Sequence, residues 1–196
     1  IPDEVLGRAN LLYLNYPNNP TGAVVPSEAF ERAVEFARAN DLILVHDNAY
    51  SEVCFDGYEA PSFLETPGAK DVGVEIFSLS KGWNMTGWRC AFVAGNAEVV
   101  ERFRQLKANL DSGMFEALQR AATVALTDER EFPREMSEVY RRRRDLLVDG
   151  LNKIGWKVEK PRGTMFVWAP IPDEFRNMGS LEFSKLLIQE CKVAVS

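Results

Sequence analysis

The feature that most constrains this chain is an unbroken apolar run, Leu42-Ile43-Leu44-Val45, that ends abruptly on His46 and Asp47. A strand with one wet face alternates apolar and polar residues; a continuous run belongs to a strand covered on both faces, as in parallel sheets. Its context agrees. Leu11-Leu12-Tyr13-Leu14-Asn15-Tyr16 is a second short apolar run, closed by the dense turn signal Pro17-Asn18-Asn19-Pro20-Thr21-Gly22. Between the two runs, residues 28–40 place Ala29, Ala33, Phe36 and Ala37 on one face, which predicts an amphipathic helix with Ser27 at its N-cap. Val74-Glu75-Ile76-Phe77-Ser78-Leu79 and Cys90-Ala91-Phe92-Val93-Ala94-Gly95 are further strand candidates. Strand, helix, strand in this order predicts an α/β fold, a mostly parallel sheet with crossover helices.

The texture changes after Asn96. Residues 97–127 have a helical pattern with a break near Asp111-Ser112-Gly113, and residues 131–152 form a long charged helix containing Arg141-Arg142-Arg143-Arg144. Trp156-Lys157-Val158-Glu159 and Met165-Phe166-Val167-Trp168 read as short strands around a turn at Pro161-Arg162-Gly163, and a last helix is expected from about Ser180 to Glu190. This tail suggests part of a second, smaller α/β unit beginning near residue 131. Ile1 in place of Met, and a final run Cys191–Ser196 that stops like an unfinished strand, read as the ends of a fragment.

Composition excludes several classes. At 46% hydrophobic and 27% charged residues, with 12 Phe, 4 Trp and 5 Tyr, the 196-residue chain can build a packed core. A net charge of −6 argues against a polyanion-binding surface, so no nucleic-acid partner is expected. No apolar run reaches the roughly 18–20 residues of a membrane helix, and residues 1–5 carry no signal-peptide pattern. Three scattered cysteines (Cys54, Cys90, Cys191) and a single histidine, His46, offer no zinc set; they read as reduced thiols of a cytoplasmic protein.

Three polar groups stand at strand ends, where α/β sheets bind ligands. The first is the segment Ser78-Leu79-Ser80-Lys81-Gly82-Trp83-Asn84-Met85-Thr86-Gly87-Trp88-Arg89. A lysine just past a buried strand can be desolvated into a nucleophilic amine, and Ser78, Ser80 and Arg89 are suited to a phosphate. A Schiff-base lysine beside a phosphate anchor suggests pyridoxal phosphate. The second is His46-Asp47-Asn48-Ala49-Tyr50: an acid leaving a buried strand needs a cationic partner, and a protonated pyridine nitrogen is one. The third is the Asn18–Gly22 turn. Taken singly, each has a plain structural explanation: a surface lysine with a structural arginine, an aspartate capping a turn, a tight turn. Three on one sheet make that explanation much weaker.

Taken together, the motifs resemble the class I/II (fold type I) pyridoxal-phosphate aminotransferases over about residues 11–168. Asn-Pro-Thr-Gly matches Asn19–Gly22, Asp-x-x-Tyr matches Asp47–Tyr50, and Ser-x-Ser-Lys with a downstream Gly-x-Arg matches Ser78–Arg89. The wider text around residues 47–89 is most similar to the LL-diaminopimelate aminotransferase branch and its aspartate- and alanine-using relatives. The resemblance implies that residues 1–130 are part of the cofactor-binding large domain and residues 131–196 part of a small C-terminal domain. It implies that Lys81 holds pyridoxal 5′-phosphate and then carries the proton between substrate Cα and cofactor C4′. Asp47 would pair with the ring nitrogen, Tyr50 and Asn19 with the 3′ oxygen, and Ser78, Ser80 and Arg89 with the phosphate. It further implies amino-acid and 2-oxo-acid substrates, a homodimer, and a place in amino-acid metabolism, lysine biosynthesis included.

The family's other phosphate loop, its ring-stacking aromatic, its partner-subunit tyrosine and its carboxylate-gripping arginine do not lie in this chain. Arg141 to Arg144 are no substitute, because consecutive helix residues diverge and usually form a solvated face. His46 is expected on the opposite sheet face from Asp47, as a satisfied packing residue. Cys90 is expected to pack as a small hydrophobe, and Phe30, Phe36, Phe166 and Trp168 to serve the core; no metal site is expected. Alternatives that share these residues are a carbon–sulfur lyase on the same fold, the aminotransferase-like effector domain of a transcription regulator, and an inactive piece of a transaminase.

Overall fold

A computed structural model describes residues 1–111 and 113–195. The elements are α1 (Asp3–Leu6), β1 (Leu11–Asn15), α2 (Glu28–Ala39), β2 (Ile43–Asp47), α3 (Ala69–Val72), β3 (Gly73–Ser78), α4 (Leu79–Gly82), β4 (Ala91–Gly95), α5 (Ala97–Leu110), α6 (Glu116–Thr127), α7 (Phe132–Lys153) and α8 (Ser180–Leu186). The four strands form one sheet in the order β1-β2-β3-β4. The first two pairings are parallel and the last antiparallel, so the mostly parallel α/β sheet expected from the sequence is present. Asn15 pairs with Asp47, and Asp47 with Ile76, which places the C-terminal ends of β1, β2 and β3 along one edge.

One face of the sheet is sealed. Phe30, Val34 and Ala37 of α2 pack with Leu42, Leu44, Phe63 and Ala69 in a single cluster, against which Leu12 and Leu14 also rest. α2 is amphipathic for this reason, and its apolar face is the one that meets the strands. Strands β2 and β3 approach unusually closely there: a Cβ on Gly73 would sit 2.2 Å from the Leu44 carbonyl oxygen, so no larger residue fits. On the other face, Leu11, Tyr13 and Ile43 remain about half exposed (52%, 53% and 42%). A smaller cluster joins Leu79, Cys90 and Ala125, with Trp83, Met85 and Met114 against it, and Cys90 is buried as a small hydrophobe. Among the described residues no helix is long and apolar enough to cross a membrane.

Several expectations are corrected. Ser27 occupies the N-cap position of α2, but its side chain accepts no backbone N–H there. Leu79 begins α4 rather than ending β3, and Cys90 precedes β4. The break between α5 and α6 is present, although Ser112 itself lies outside the described residues. Residues 156–159 and 165–168 form no strand, because a strand exists only as part of a ladder and the one bridge nearby among the described residues joins Gly163 to Cys54. Trp168 is 60% exposed and not core, whereas Phe30 is fully buried. The final run is not a strand: Leu187–Cys191 is a π-helical turn following α8, and Ser196 lies outside the described residues. The arginine run of α7 is not uniformly solvated either. Arg144 is buried, stacked 4.7 Å from the Phe55 ring, and donates to Asp56 Oδ2 (2.7 Å) and the Pro161 carbonyl (2.8 Å). A buried guanidinium persists only when its donors are met this way.

Candidate active site

The sheet edge formed by the ends of β1 and β2 is organised by Asn15. Its Nδ2 donates to the Asp47 carbonyl (2.9 Å), while its Oδ1 accepts from the Asn19 backbone N–H (2.8 Å) and from Asn18 Nδ2 (3.4 Å). Asn18 Oδ1 in turn accepts from Thr21 through both its backbone N–H (3.2 Å) and its Oγ1 (2.6 Å). The turn is therefore held by side chains from its first residues onward, which is why Asn and Thr recur in it. Gly22 closes it at φ +71°, where a Cβ would lie 2.8 Å from Pro161 Cβ; only glycine meets both demands.

This fixed turn delivers Asn19 to Tyr50, Nδ2 donating to the phenol oxygen at 3.2 Å. Asp47 faces the same space. Its Oδ2 accepts from the Tyr13 hydroxyl (2.6 Å) and its Oδ1 from the Ala49 N–H (3.3 Å). A cavity of about 600 Å³ is bounded by Tyr13, Asn15, Asn19, Asp47 and Tyr50 among others. Burial, then the hydrogen bond to Asp47 and its charge, push the Tyr13 phenol up to about 12. Burial and the Asp47 charge likewise raise Tyr50, outweighing the Asn19 hydrogen bond. Both phenols consequently stay neutral, with a proton to donate, at physiological pH.

Lys81 lies in α4, one short turn beyond β3. Its Nζ is 5.8 Å from the centroid of the Tyr50 ring, so it reaches the same residue that Asn19 reaches from the other side. Ser78 Oγ accepts from the Ser80 N–H (3.2 Å) and starts α4. Thr86 Oγ1 donates to the Ser80 carbonyl (3.0 Å), and Arg89 Nη1 donates to the Thr86 carbonyl (3.1 Å). Arg89 itself sits at φ +52°. The geometry thus gathers Asn19, Asp47 and Tyr50 around one cavity with Lys81 over the Tyr50 ring. Lys81, Ser78, Ser80 and Arg89 are not among the residues lining that cavity, and Arg89 follows a separate turn over Thr86–Trp88.

Sequence reasoning missed Tyr13 and Asn15. Both stand on alternate positions of β1, on the face that carries Asp47. The period-2 pattern was legible; the parallel register that sets them beside Asp47 was not. His46, on the opposite face, is buried as expected.

Comparison with known proteins settles the family. The sequence model of the class I and II aminotransferases matches residues 3–196. The chain belongs to that family. Its members use pyridoxal 5′-phosphate. This aminotransferase chain is 49% identical over its whole length to the LL-diaminopimelate aminotransferase of Moorella thermoacetica, of which it covers 50%. It is 46% identical over 98% of its length to the glutamate-pyruvate aminotransferase AlaC of Escherichia coli, of which it covers 47%. Among solved structures, substrate-bound BacF from Bacillus subtilis superposes with a TM-score of 0.95 at 42% identity, covering all of this chain and 49% of that one. The chain therefore spans about half the length of the aminotransferases it matches.

Proposed function

We propose that the full protein is an aminotransferase that moves an amino group between an amino acid and a 2-oxo acid, with LL-diaminopimelate and 2-oxoglutarate as the first pair to test. The observation that carries this reading is the meeting of an Asp47 carboxylate, an Asn19–Tyr50 donor pair and the Lys81 amine at one sheet edge. This donor set fits a pyridinium ring with an adjacent phenolic oxygen. When bound, the cofactor supplies an electron sink that acidifies the substrate Cα–H.

The chain's own residues do the rest. Asp47 keeps a negative charge where the ring nitrogen would lie, and the Tyr13 hydroxyl and the Ala49 N–H hold that carboxylate in place. Tyr50 and Asn19 donate toward the ring oxygen. Lys81 would hold the cofactor, and its amine would carry a proton to and from the substrate Cα. Ser78, Ser80 and Arg89 would hold the phosphate, Arg89 through its fork of donors. The branch preference draws on the identity to LL-diaminopimelate aminotransferases. A homodimer in the cytoplasm, with residues 1–130 in a large domain and 131–196 in a small one, completes the proposal.

The test is spectroscopic and kinetic, on the full-length protein. The wild type is expected to show a visible band from bound cofactor that amino donors bleach. Lys81→Ala is expected to lose that response, with turnover falling by about 10²–10⁴-fold or more. An unchanged, donor-bleachable band in Lys81→Ala would remove this lysine from the reaction. Formation of a 2-oxo acid from LL-diaminopimelate only when an amino acceptor is present supports transamination; formation without an acceptor supports a lyase instead.

A further inference from the structure

Behind Asp47, on the sealed face of the sheet, lies a hydrogen-bonded His46–Glu75 pair that the proposed chemistry does not use. His46 is fully buried between the Phe30 and Phe63 rings, with centroid separations of 4.5 and 6.4 Å. Its Nδ1 is 2.9 Å from Glu75 Oε2 and its Nε2 is 2.9 Å from the Tyr16 carbonyl oxygen. Both neighbours are acceptors. The Tyr16 carbonyl oxygen can only accept, so Nε2 carries a proton in that contact.

Glu75 completes the pair. Besides His46, its carboxylate receives the Phe63 N–H (2.7 Å), Asn48 Nδ2 (3.2 Å) and the Ser62 hydroxyl (3.0 Å). Burial alone would raise this carboxyl; hydrogen bonds from His46, Asn48 and Phe63 outweigh it and hold the group below the usual carboxylate range. One imidazole thereby joins the end of β1, the strands β2 and β3, and the 62–65 turn. Tyr16 precedes the Pro17–Gly22 turn that carries Asn19, while His46 precedes Asp47.

We propose that His46, held between Glu75 and the Tyr16 carbonyl, is a positioning residue for the cofactor site: by holding the Tyr16 carbonyl it fixes Asn19 relative to Asp47 and Tyr50. The inference rests on the aminotransferase reading above. His46 touches no reacting atom and acts only through these two segments. Its loss would release the Asn19 turn, so that the donor pair at Tyr50 no longer meets the ring oxygen squarely.

The test uses the full-length protein. Nitrogen-15 spectra of the unmutated protein, with this histidine assigned by its contacts to the Phe30 and Phe63 rings, are expected to show Nε2 protonated and hydrogen-bonded, as the Tyr16 carbonyl requires; a bare Nε2 overturns the proposal. Cofactor affinity and the pH midpoint of the bound-cofactor band are then measured for His46→Gln and Glu75→Gln below their unfolding temperatures. Each is expected to weaken cofactor binding about tenfold, as outer-shell partners do at metal sites, and to move the midpoint. Folded variants with unchanged affinity and midpoint overturn the proposal, even if they are less stable. If neither variant folds, the Nε2 proton in the unmutated protein decides. A wild type with no cofactor band sinks the enzyme reading itself, a result distinct from a normal band that ignores these substitutions.

Discussion

His46 and Asp47 are consecutive residues of β2, yet they live in opposite worlds. His46 is 0% exposed, and α2 with the 62–65 turn closes over it and Glu75. Asp47 faces a cavity whose nearest phenol, Tyr13, is half exposed. Alternation along a strand puts neighbours on different faces, so a single step of sequence separates a finished interior from a surface of unspent donors. The sealed side confers rigidity, whereas the open side presents chemistry. Such a division suits a site whose groups must be held closely while remaining reachable.

That contrast can be broken by substitution. The largest effect belongs to the sealed side: Phe30→Ala removes a ring packed against both His46 and Phe63 and should cost about 3–5 kcal/mol in urea unfolding of the full-length protein. A loss below about 1 kcal/mol would mean that this face is not closed.

Next comes Glu75→Gln, expected to cost about 1.5–3 kcal/mol at neutral pH because charged hydrogen bonds become neutral. The dependence on pH has a definite sign. A carboxyl whose folded value lies below its unfolded 4.5 stabilises the fold fully above about pH 4.5, and loses that contribution as pH falls toward the folded value. Wild-type unfolding free energy should therefore drop in that acidic window more steeply than that of Glu75→Gln; parallel curves would show that Glu75 is not held ionised.

Gly22→Ala probes the joint between the two sides. It forces a Cβ onto a φ of +71° and toward Pro161, with an expected loss of about 1–3 kcal/mol and weaker cofactor binding. Smallest in stability is Tyr13→Phe, at about 1 kcal/mol or less for one partly exposed hydrogen bond. Its signature is expected at the open side instead, as a shift in the cofactor band's titration while the melting temperature barely moves.

Much of this was legible in the order of residues. Leu42–Val45 announced a strand of a parallel sheet, though only one of its faces is covered and Ile43 stays 42% exposed; the 28–40 pattern announced its crossover helix, and Asn19, Asp47, Tyr50 and Lys81 stood out because polar groups at strand ends are chemically conspicuous. Trp156–Glu159 and Met165–Trp168 misled because propensity describes a residue's preference, while a strand also needs a partner to pair with.

By itself the sequence determined the sheet strands and crossover helix of its first hundred residues and the motifs that mark the family, since these follow from local periodicity and from motifs a few residues long. Only the folded chain decided which faces meet. Tyr13 reaches Asp47 across 34 residues, His46 pairs with Glu75 across 29, and Arg144 finds Asp56 across 88. Those partnerships depend on parallel register and helix packing, which arise from the whole core closing at once and leave no periodic trace in the string of residues.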